Sequence, residues 1–381
     1  MNLARLFPHA APVPPIGRPW EPSALPSHGG VLAITDADRR VFQLLRSQNI
    51  RRTVLARLRD GALPAEGRRT DVRAIAHEIL WSPAYSQFEA MWVYWNTARQ
   101  LWPRDYFARL EFGLPWFAAI RLDARFPRWL PRLRAFVPGV REVGPFDSRR
   151  KCAQYIAVLE EMFDLCRYHD VLTKAPHGQA CAYFEMGKCP APCDGTISLD
   201  VYRHMLAASA DFAQGRQSHP LRTLEEKMRG AAESRDFVAA AKWKELLERC
   251  QGTLRRARPI TSTPAEFRYL VVQRGETRSR VKPFFVTGGS IDAGPSETLR
   301  SLPQSANRWI ARMADAPNPK DSQVAHHIEV IGLVVHFLAK GPKAPGLYIR
   351  FDQLPTPDKL RDLIREAFAP AARRAAPDNV S

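Results

Sequence analysis

Long apolar runs are missing from this 381-residue chain, and so is a secretory signal. The run "VIGLVVHFLA" at 330–339 falls well short of the roughly 20 apolar residues that a membrane-spanning helix needs. The first 30 residues lack the apolar segment of a signal peptide, and their prolines argue against a helix there. The sequence therefore predicts a cytoplasmic protein with no membrane partner.

Acidic residues are too few to balance the basic ones. The chain has 56 lysines and arginines against 39 acidic residues, a formal net charge of +17. Residues 1–150 contain no lysine at all, but hold 23 arginines against 13 acidic residues. Such a surplus favours a polyanionic partner, nucleic acid above all, because phosphate contacts dominate that kind of binding. An arginine-rich surface that is merely solvated is the alternative, and charge alone does not decide between them.

Two stretches are candidate phosphate contacts. The first is the basic helix predicted in "SQNIRRTVLARL", where Arg46, Arg51 and Arg52 stand at or near its start. The second is "RFPRWLPRLR" (125–134), where Arg128 lies among aromatic side chains. A solvated surface loop is the other interpretation of this second stretch.

Cysteine is sparse, six residues in all, yet three cysteines fall within "CAYFEMGKCPAPCDG" (181–195). In a reducing compartment such clustering indicates metal ligands rather than disulfides. With one upstream cysteine, the candidate ligands are Cys166, Cys181, Cys189 and Cys193. Four thiolates suit either a 4Fe–4S cluster or zinc, and the spacing leaves both open. Unligated core thiols are the remaining alternative.

Apolar periodicity predicts a multidomain α/β (α+β) chain. Two strands surround the turn "DADRR", and later strands are predicted in "FRYLVVQ" and "VKPFFV". Helical spacing predicts a helix over 148–166 that ends at Cys166, and a helix after Ser198, which is a suitable N-cap. Two antiparallel helices fill 219–252.

The cysteine stretch resembles the corresponding region of the UvrC family, the nuclease subunit of bacterial nucleotide excision repair. The resemblance rests on the C-x7-C-x3-C run, a Gly-Lys-Cys-x-x-Pro context and a following Ile-Ser and helix. "LEEKMRGAAESRDFVAAAKWKELL" (224–247) resembles the UVR motif of the same family. In that family the cysteines hold a 4Fe–4S cluster, so the resemblance implies that cofactor rather than zinc. Cys166 stands about two residues earlier than the family pattern.

The family's N-terminal domain is a GIY-YIG nuclease, and the chain departs from its catalytic pattern. Leu32 and Gln43 stand where the two tyrosines belong, and Thr53 replaces the catalytic arginine. Tyr94 takes the place of the metal-binding glutamate, unless the helix register shifts by five residues and brings in Glu89. The resemblance therefore implies a nuclease fold without a nuclease site. Mg²⁺ or Mn²⁺ would be needed only if activity survives.

The UVR motif implies docking on the matching hairpin of UvrB, with DNA as the second partner. The predicted contact residues follow the apolar stripes of the two helices: Leu224, Met228, Phe237, Ala240, Ala241 and Lys244. A hairpin that packs only within its own chain is the alternative.

The predicted organisation follows from these assignments. It comprises a proline-rich lead-in (1–28), a degenerate GIY-YIG-like domain (29–137), a helical cysteine module (138–218), a UVR hairpin (219–252), a small α/β domain (262–370) and a disordered tail (371–381). The predicted function is a DNA-binding component or modulator of excision repair that does not cut. An active UvrC-like excinuclease and a non-repair adaptor with a structural metal site are the alternatives.

Overall fold

The computed structural model describes residues 2–21, 23–58, 72–133, 137, 139–216, 219–256, 266–315 and 328–368. The predicted tail 371–381 lies outside these ranges. The strands are β1 (His9–Pro12), β2 (Gly30–Thr35), β3 (Val41–Ser47), β4 (Glu78–Pro83), β5 (Trp116–Ile120), β6 (Trp129–Arg132), β7 (Arg141–Phe146), β8 (Arg268–Arg274), β9 (Arg280–Thr287), β10 (Ser290–Ala293), β11 (Glu297–Thr298) and β12 (Leu347–Arg350).

The helices complete the element order. They are α1 (Ile50–Arg57), α2 (Val72–Ile75), α3 (Gln87–Leu101), α4 (Arg149–Met162), α5 (His169–Leu172), α6 (Ala182–Glu185), α7 (Leu199–Ala213), α8 (His219–Glu233), α9 (Phe237–Arg256), α10 (Leu302–Asp315), α11 (Ile328–Leu338) and α12 (Pro357–Phe368). Mixed helices and sheets of this kind confirm the predicted α+β class. None of the described helices is long and apolar enough to cross a bilayer.

The N-terminal sheet has the strand order β1-β4-β2-β3, with every neighbouring pair antiparallel. The proline-rich segment, predicted as a lead-in, supplies the edge strand β1, where Ala10 pairs with Leu80. An edge strand tolerates Pro12 because the missing N–H is not needed by a second neighbour. Asn49 caps α1 by accepting a hydrogen bond from the Arg52 backbone N–H.

Two core clusters lie on opposite faces of this sheet. Alternation along β2 sends Leu32 and Ile34 towards α1, and Val31 and Ala33 towards α3. All four side chains are fully buried. The sheet is therefore covered on both faces.

The cluster around α3 continues into the C-terminal unit, which comprises the described residues 266–315 and 328–368. The Phe88 ring meets Phe284 of β9 at 5.2 Å between centroids and Phe337 of α11 at 5.5 Å, both edge to face. Trp92 also packs against Phe284, at 5.7 Å. The N-terminal sheet and the C-terminal sheet thus share one apolar core, with α3 between them.

The middle sheet has the order β6-β5-β7 and packs on α4 and α7. Because β5 pairs with both β6 and β7, this sheet crosses the domain boundary predicted between residues 137 and 138. The helix predicted over 148–166 ends earlier, at Met162, and the prediction was wrong on this point. Asp164, with a φ of 49°, turns the backbone away, so Cys166 lies in a loop.

Helices α8 and α9 form the predicted hairpin, joined by a turn in which Arg235 has a φ of 61°. Leu224, Leu246 and Cys250 are buried with Val158 of α4, so the base of the hairpin packs on α4. The C-terminal sheet follows with the order β10-β9-β8-β12, and β11 pairs with β9. Its second face packs against α10 and α12.

Candidate functional site

The two positions predicted to correspond to the nuclease tyrosines, Leu32 and Gln43, lie within the N-terminal sheet. Leu32 pairs with Leu45 across β2 and β3, and Leu32 is completely buried beside Ile50 and Val54. The side-chain oxygen of Gln43 is buried without a hydrogen-bond partner in the described part of the chain. Neither side chain offers an ionisable hydroxyl that could take part in acid–base chemistry.

Thr53 and Tyr94 are the residues predicted at the other two catalytic positions. The Thr53 hydroxyl lies 2.7 Å from the Ser47 hydroxyl and is held in this local pair. Tyr94 is 9% exposed and lies in the cluster shared with the C-terminal unit, on the opposite sheet face from Leu32. Burial raises the pKa of Tyr94, against the opposing charges of Arg109 and Arg46. The four positions therefore do not converge on one pocket.

Glu89 is the one carboxylate that a shifted register would bring to the metal position, and its oxygens are both engaged. It is 3% exposed, accepts a 2.8 Å hydrogen bond from the Tyr85 backbone N–H, and forms a 2.6 Å ion pair with Lys282. Ser86 accepts from the Glu89 N–H, so serine and glutamate cap the start of α3 reciprocally. Glu89 thus serves helix capping and contact with the C-terminal unit.

The predicted phosphate-binding arginines differ in how accessible they are. Arg46 is ion-paired with Glu111 and keeps only 22% of its side chain exposed; burial lowers its pKa. Arg51 donates a 2.8 Å hydrogen bond from Nε to the Leu25 carbonyl. Arg52 and Arg128 are exposed. The structure therefore leaves these last two guanidinium groups the best placed for an external anion.

The four predicted cysteine ligands all lie in the segment between α4 and α7. Cys166 follows α4, and its backbone N–H donates to the Tyr202 hydroxyl at 3.0 Å. Cys181 immediately precedes α6. The Cys193 carbonyl accepts a 2.8 Å hydrogen bond from the Gly178 N–H, which ties the two ends of this loop together. The fold thus gathers sequence-distant thiols into one module.

Two of the thiols interact. The Cys166 thiol donates a 3.4 Å hydrogen bond to the Tyr168 carbonyl, and its interaction with Cys189 lowers the pKa of Cys189 against the opposing effect of burial. The same interaction with Cys189 raises the pKa of Cys166, and burial raises the pKa of Cys193. Over the described ranges, no three cysteine, histidine or carboxylate side chains stand in an arrangement that would hold a metal ion. The chemistry of four thiols fits a thiolate-ligated iron–sulfur cluster or zinc, while their arrangement here is pairwise.

The two remaining cysteines are core residues. Cys152 and Cys250 are both completely buried in apolar surroundings. Burial raises the pKa of each thiol to about 12. They therefore remain neutral thiols over the physiological range.

The predicted partner-binding residues of the hairpin divide into two groups. Leu224 is buried and Met228 partly buried, both against the chain's own residues. Phe237 is 70% exposed and its neighbour Val238 is 68% exposed at the hairpin tip. Ala240 is half-buried, and Ala241 and Lys244 are exposed. The base of the hairpin is thus part of the protein's own core, and its tip presents free apolar surface.

Sequence reasoning missed part of a basic cleft in the middle domain. Arg128 lines this cleft together with Arg121, Arg132 and His169. Arg121 follows directly on β5, which the sequence alone makes visible. Its proximity to Arg128 depends on the pairing of β5 with β6. Trp129, by contrast, is buried and donates from Nε1 to the Ser209 hydroxyl at 3.0 Å.

Known proteins share this middle domain. Residues 116–212, which include the basic cleft and all four candidate cysteine ligands, match the family model "UvrC/Cho excinuclease, middle domain". Many curated proteins named "UvrABC system protein C" also match over most of the chain. Residues 116–212 are therefore similar to the middle domain of UvrC proteins, and most of the chain resembles them more distantly.

The individual relatives are distant and longer. The protein from Streptomyces griseus is 25% identical over 71% of this chain and 38% of its own length. Those from Trichlorobacter lovleyi and a Geobacter species are also 25% identical, over 70% and 77% of this chain and 44% and 46% of their own lengths. The chain thus spans about two fifths of the length of such relatives. No solved structure matches the chain significantly.

Proposed function

We propose that this protein is a DNA-binding component of nucleotide excision repair that does not cut DNA. The observation that carries the proposal is the state of the four family positions in the N-terminal sheet. Leu32, Gln43, Thr53 and Tyr94 provide no metal ligand of the expected type, and they lie on two different faces of the sheet. Glu89, the carboxylate that a shifted register would bring to the metal position, is paired with Lys282.

Loss of the nuclease leaves the charge of the N-terminal region as its functional property. Residues 1–150 carry a formal excess of ten positive charges, all from arginine. Guanidinium groups bind phosphate oxygens in a bidentate manner, which suits them to hold a nucleic-acid backbone. Exposed arginines such as Arg52 and Arg128 support binding without requiring a catalytic group.

We further propose that the hairpin docks on UvrB, as the resemblance to the UVR motif implies. The structure favours a contact made by the tip rather than by the whole hairpin, because the base is occupied by α4. An interface built around Phe237 and Val238 is small, and small interfaces are typically weak or transient.

Removal of the exposed ring is expected to weaken this docking. Phe237→Ala should reduce affinity for UvrB about tenfold, because a central aromatic anchor carries much of the energy of a small interface. Val201→Ala removes a comparably exposed apolar side chain from α7 and should leave affinity within twofold. The measurement is a titration of UvrB by calorimetry or surface plasmon resonance. Equal affinity of wild type and Phe237→Ala would contradict docking through the tip.

The cysteine module, in this proposal, holds a 4Fe–4S cluster through Cys166, Cys181, Cys189 and Cys193. When bound, such a cluster would cross-link the loops that hold its ligands, and it would supply one-electron redox chemistry. The chain contributes four free thiols in the segment between α4 and α7, and their thiolate form is the one that binds metal. It also contributes Tyr202, whose hydroxyl holds the backbone of Cys166.

Metal analysis tests this cofactor. Protein purified anaerobically should be brown and contain about four iron and four sulfide per chain. Cys189→Ser and Cys193→Ser should lose most of the iron, whereas Cys152→Ala, at a buried core thiol, should retain it. Colourless wild-type protein with about one zinc per chain would show that the module is a zinc site.

An incision assay distinguishes the proposal from an active excinuclease. Site-damaged duplex is incubated with the protein, UvrB and Mn²⁺, and no nick above background is expected, because the metal-binding carboxylate is replaced by Tyr94. Glu89→Gln and Tyr94→Phe should be equally inactive. A nick that disappears only in Glu89→Gln would mean that Glu89 leaves its ion pair to bind metal, and the enzyme hypothesis would then be correct.

A further inference from the structure

The middle sheet has one face packed on helices and another that is only partly covered. Along β5, Ala118 and Ile120 face α4 and α7, and Phe117 and Ala119 face the other way. Phe117 is buried in the core shared with the C-terminal unit. Beyond it the same face opens into a cleft of about 350 Å³. This volume lies in the range of small-ligand sites rather than of a surface that seats a whole duplex.

Strand pairing concentrates guanidinium groups in this arginine cleft, which is lined by Arg121, Arg128 and Arg132 together with His169 of α5. Phe117 pairs with Arg132 and Ala119 with Leu130, so alternation places Arg128 and Arg132 on one sheet face, about 13 Å apart along β6. Arg121 extends β5 beside Arg128. Guanidinium groups on both strands therefore point to the same cleft.

These arginines are available to an external ligand. Arg121 has Asp123 at 3.9 Å as its ion-pair partner, and both of these side chains are more than half exposed. Arg128 and Arg132 are exposed and form no ion pair with any described residue. Exposed pairs such as Arg121–Asp123 contribute little, so the cleft retains most of its positive charge.

The floor and one wall of the cleft are apolar. Ala119, Leu130 and Val140 line it, and Phe126 is half-buried at its edge. The Phe126 loop is held by its carbonyl, 3.3 Å from His169 Nε2, and by the Arg125 guanidinium, 5.2 Å from the ring centroid. A fixed aromatic ring beside unpaired guanidinium groups is the combination that proteins use to bind single strands, with stacking for bases and cations for phosphates.

We propose that the arginine cleft binds an unpaired DNA strand, with phosphates at Arg128 and Arg132 and a base against the apolar side at Phe126. This inference rests on the proposed DNA-binding function and adds which strand form the middle domain selects. A cleft of about 350 Å³ matches the size of a single extruded or unpaired nucleotide. An acidic peptide would use the cations but would have little use for the apolar side.

The test compares a fluorescent oligothymidylate with a duplex of equal length, from 50 to 200 mM salt, using the full chain. Arg128→Ala/Arg132→Ala should weaken single-strand binding about tenfold and make the slope of log K against log salt shallower by about 1.4, since two phosphate contacts are lost. Its duplex affinity should change less than threefold. Arg278→Ala/Arg300→Ala removes the same charge from exposed positions of the C-terminal unit and should leave single-strand affinity within twofold.

A second variant separates stacking from charge. Phe126→Leu should weaken single-strand binding severalfold while leaving the salt slope unchanged. Circular dichroism and thermal melting confirm that each variant is folded. If the cleft variant and its charge-matched control lowered the affinity equally, for single strand and duplex alike, the arginine cleft would not be the single-strand site. General DNA binding would then still stand. Wild-type protein that binds neither DNA form would overturn the proposed function itself.

Discussion

Burial of helix α3 between two sheets is the constraint on which the rest of this structure depends. One side of the helix packs on the N-terminal sheet, and its first turn meets the C-terminal unit through Phe88 and Glu89. An aromatic contact and a buried ion pair at adjacent positions fix the two units to each other, because each contact fails if the sheets separate. At Gly332 of α11 a Cβ atom would lie 2.8 Å from the Gly113 carbonyl, so α11 packs closely against the loop that contains Gly113.

The same burial determines what the N-terminal unit can still do. A metal-dependent nuclease needs an accessible carboxylate next to a substrate phosphate. Here the Glu89 carboxylate caps the start of α3 and forms an ion pair with Lys282, and the Tyr94 side chain faces the core. The features that we propose to interact with other molecules lie elsewhere: the arginine cleft, the apolar tip of the hairpin and the cysteine loops. All of these except the tip fall inside the segment that matches the UvrC middle domain.

Local signals in the sequence predicted much of the fold. The strands on either side of "DADRR", the Ser198 cap of α7 and the two helices of the hairpin are all present, since each depends on neighbours in the chain. Contacts between distant segments were not predictable in this way. The edge strand β1 depends on a partner near residue 80, and the partner of Glu89 lies 193 positions away. The early end of α4 depends on a left-handed residue, Asp164, that helical periodicity does not reveal.

The same division between local signals and contacts of distant segments applies to the candidate site. The four cysteines could be named from their spacing, but the interaction of Cys166 with Cys189 depends on how the loops fold back. Arg128 could be proposed from "RFPRW", but its partnership with Arg121 depends on the register of β5 and β6. The accessibility of Arg46 could not be read from sequence, because Glu111 lies on a loop beyond α3.

The closure of the C-terminal unit over α3 is tested most directly by the free energy of unfolding of Lys282→Met, measured by urea denaturation. We expect a loss of about 2–4 kcal/mol, since Glu89 would be left buried without its partner while Lys282 itself is partly exposed. Glu89→Gln/Lys282→Met should recover at least half of that loss, and Lys343→Met, at an exposed lysine, should change stability by less than about 0.5 kcal/mol. A change below about 0.5 kcal/mol for Lys282→Met would contradict the account, because α3 would then not depend on the C-terminal unit.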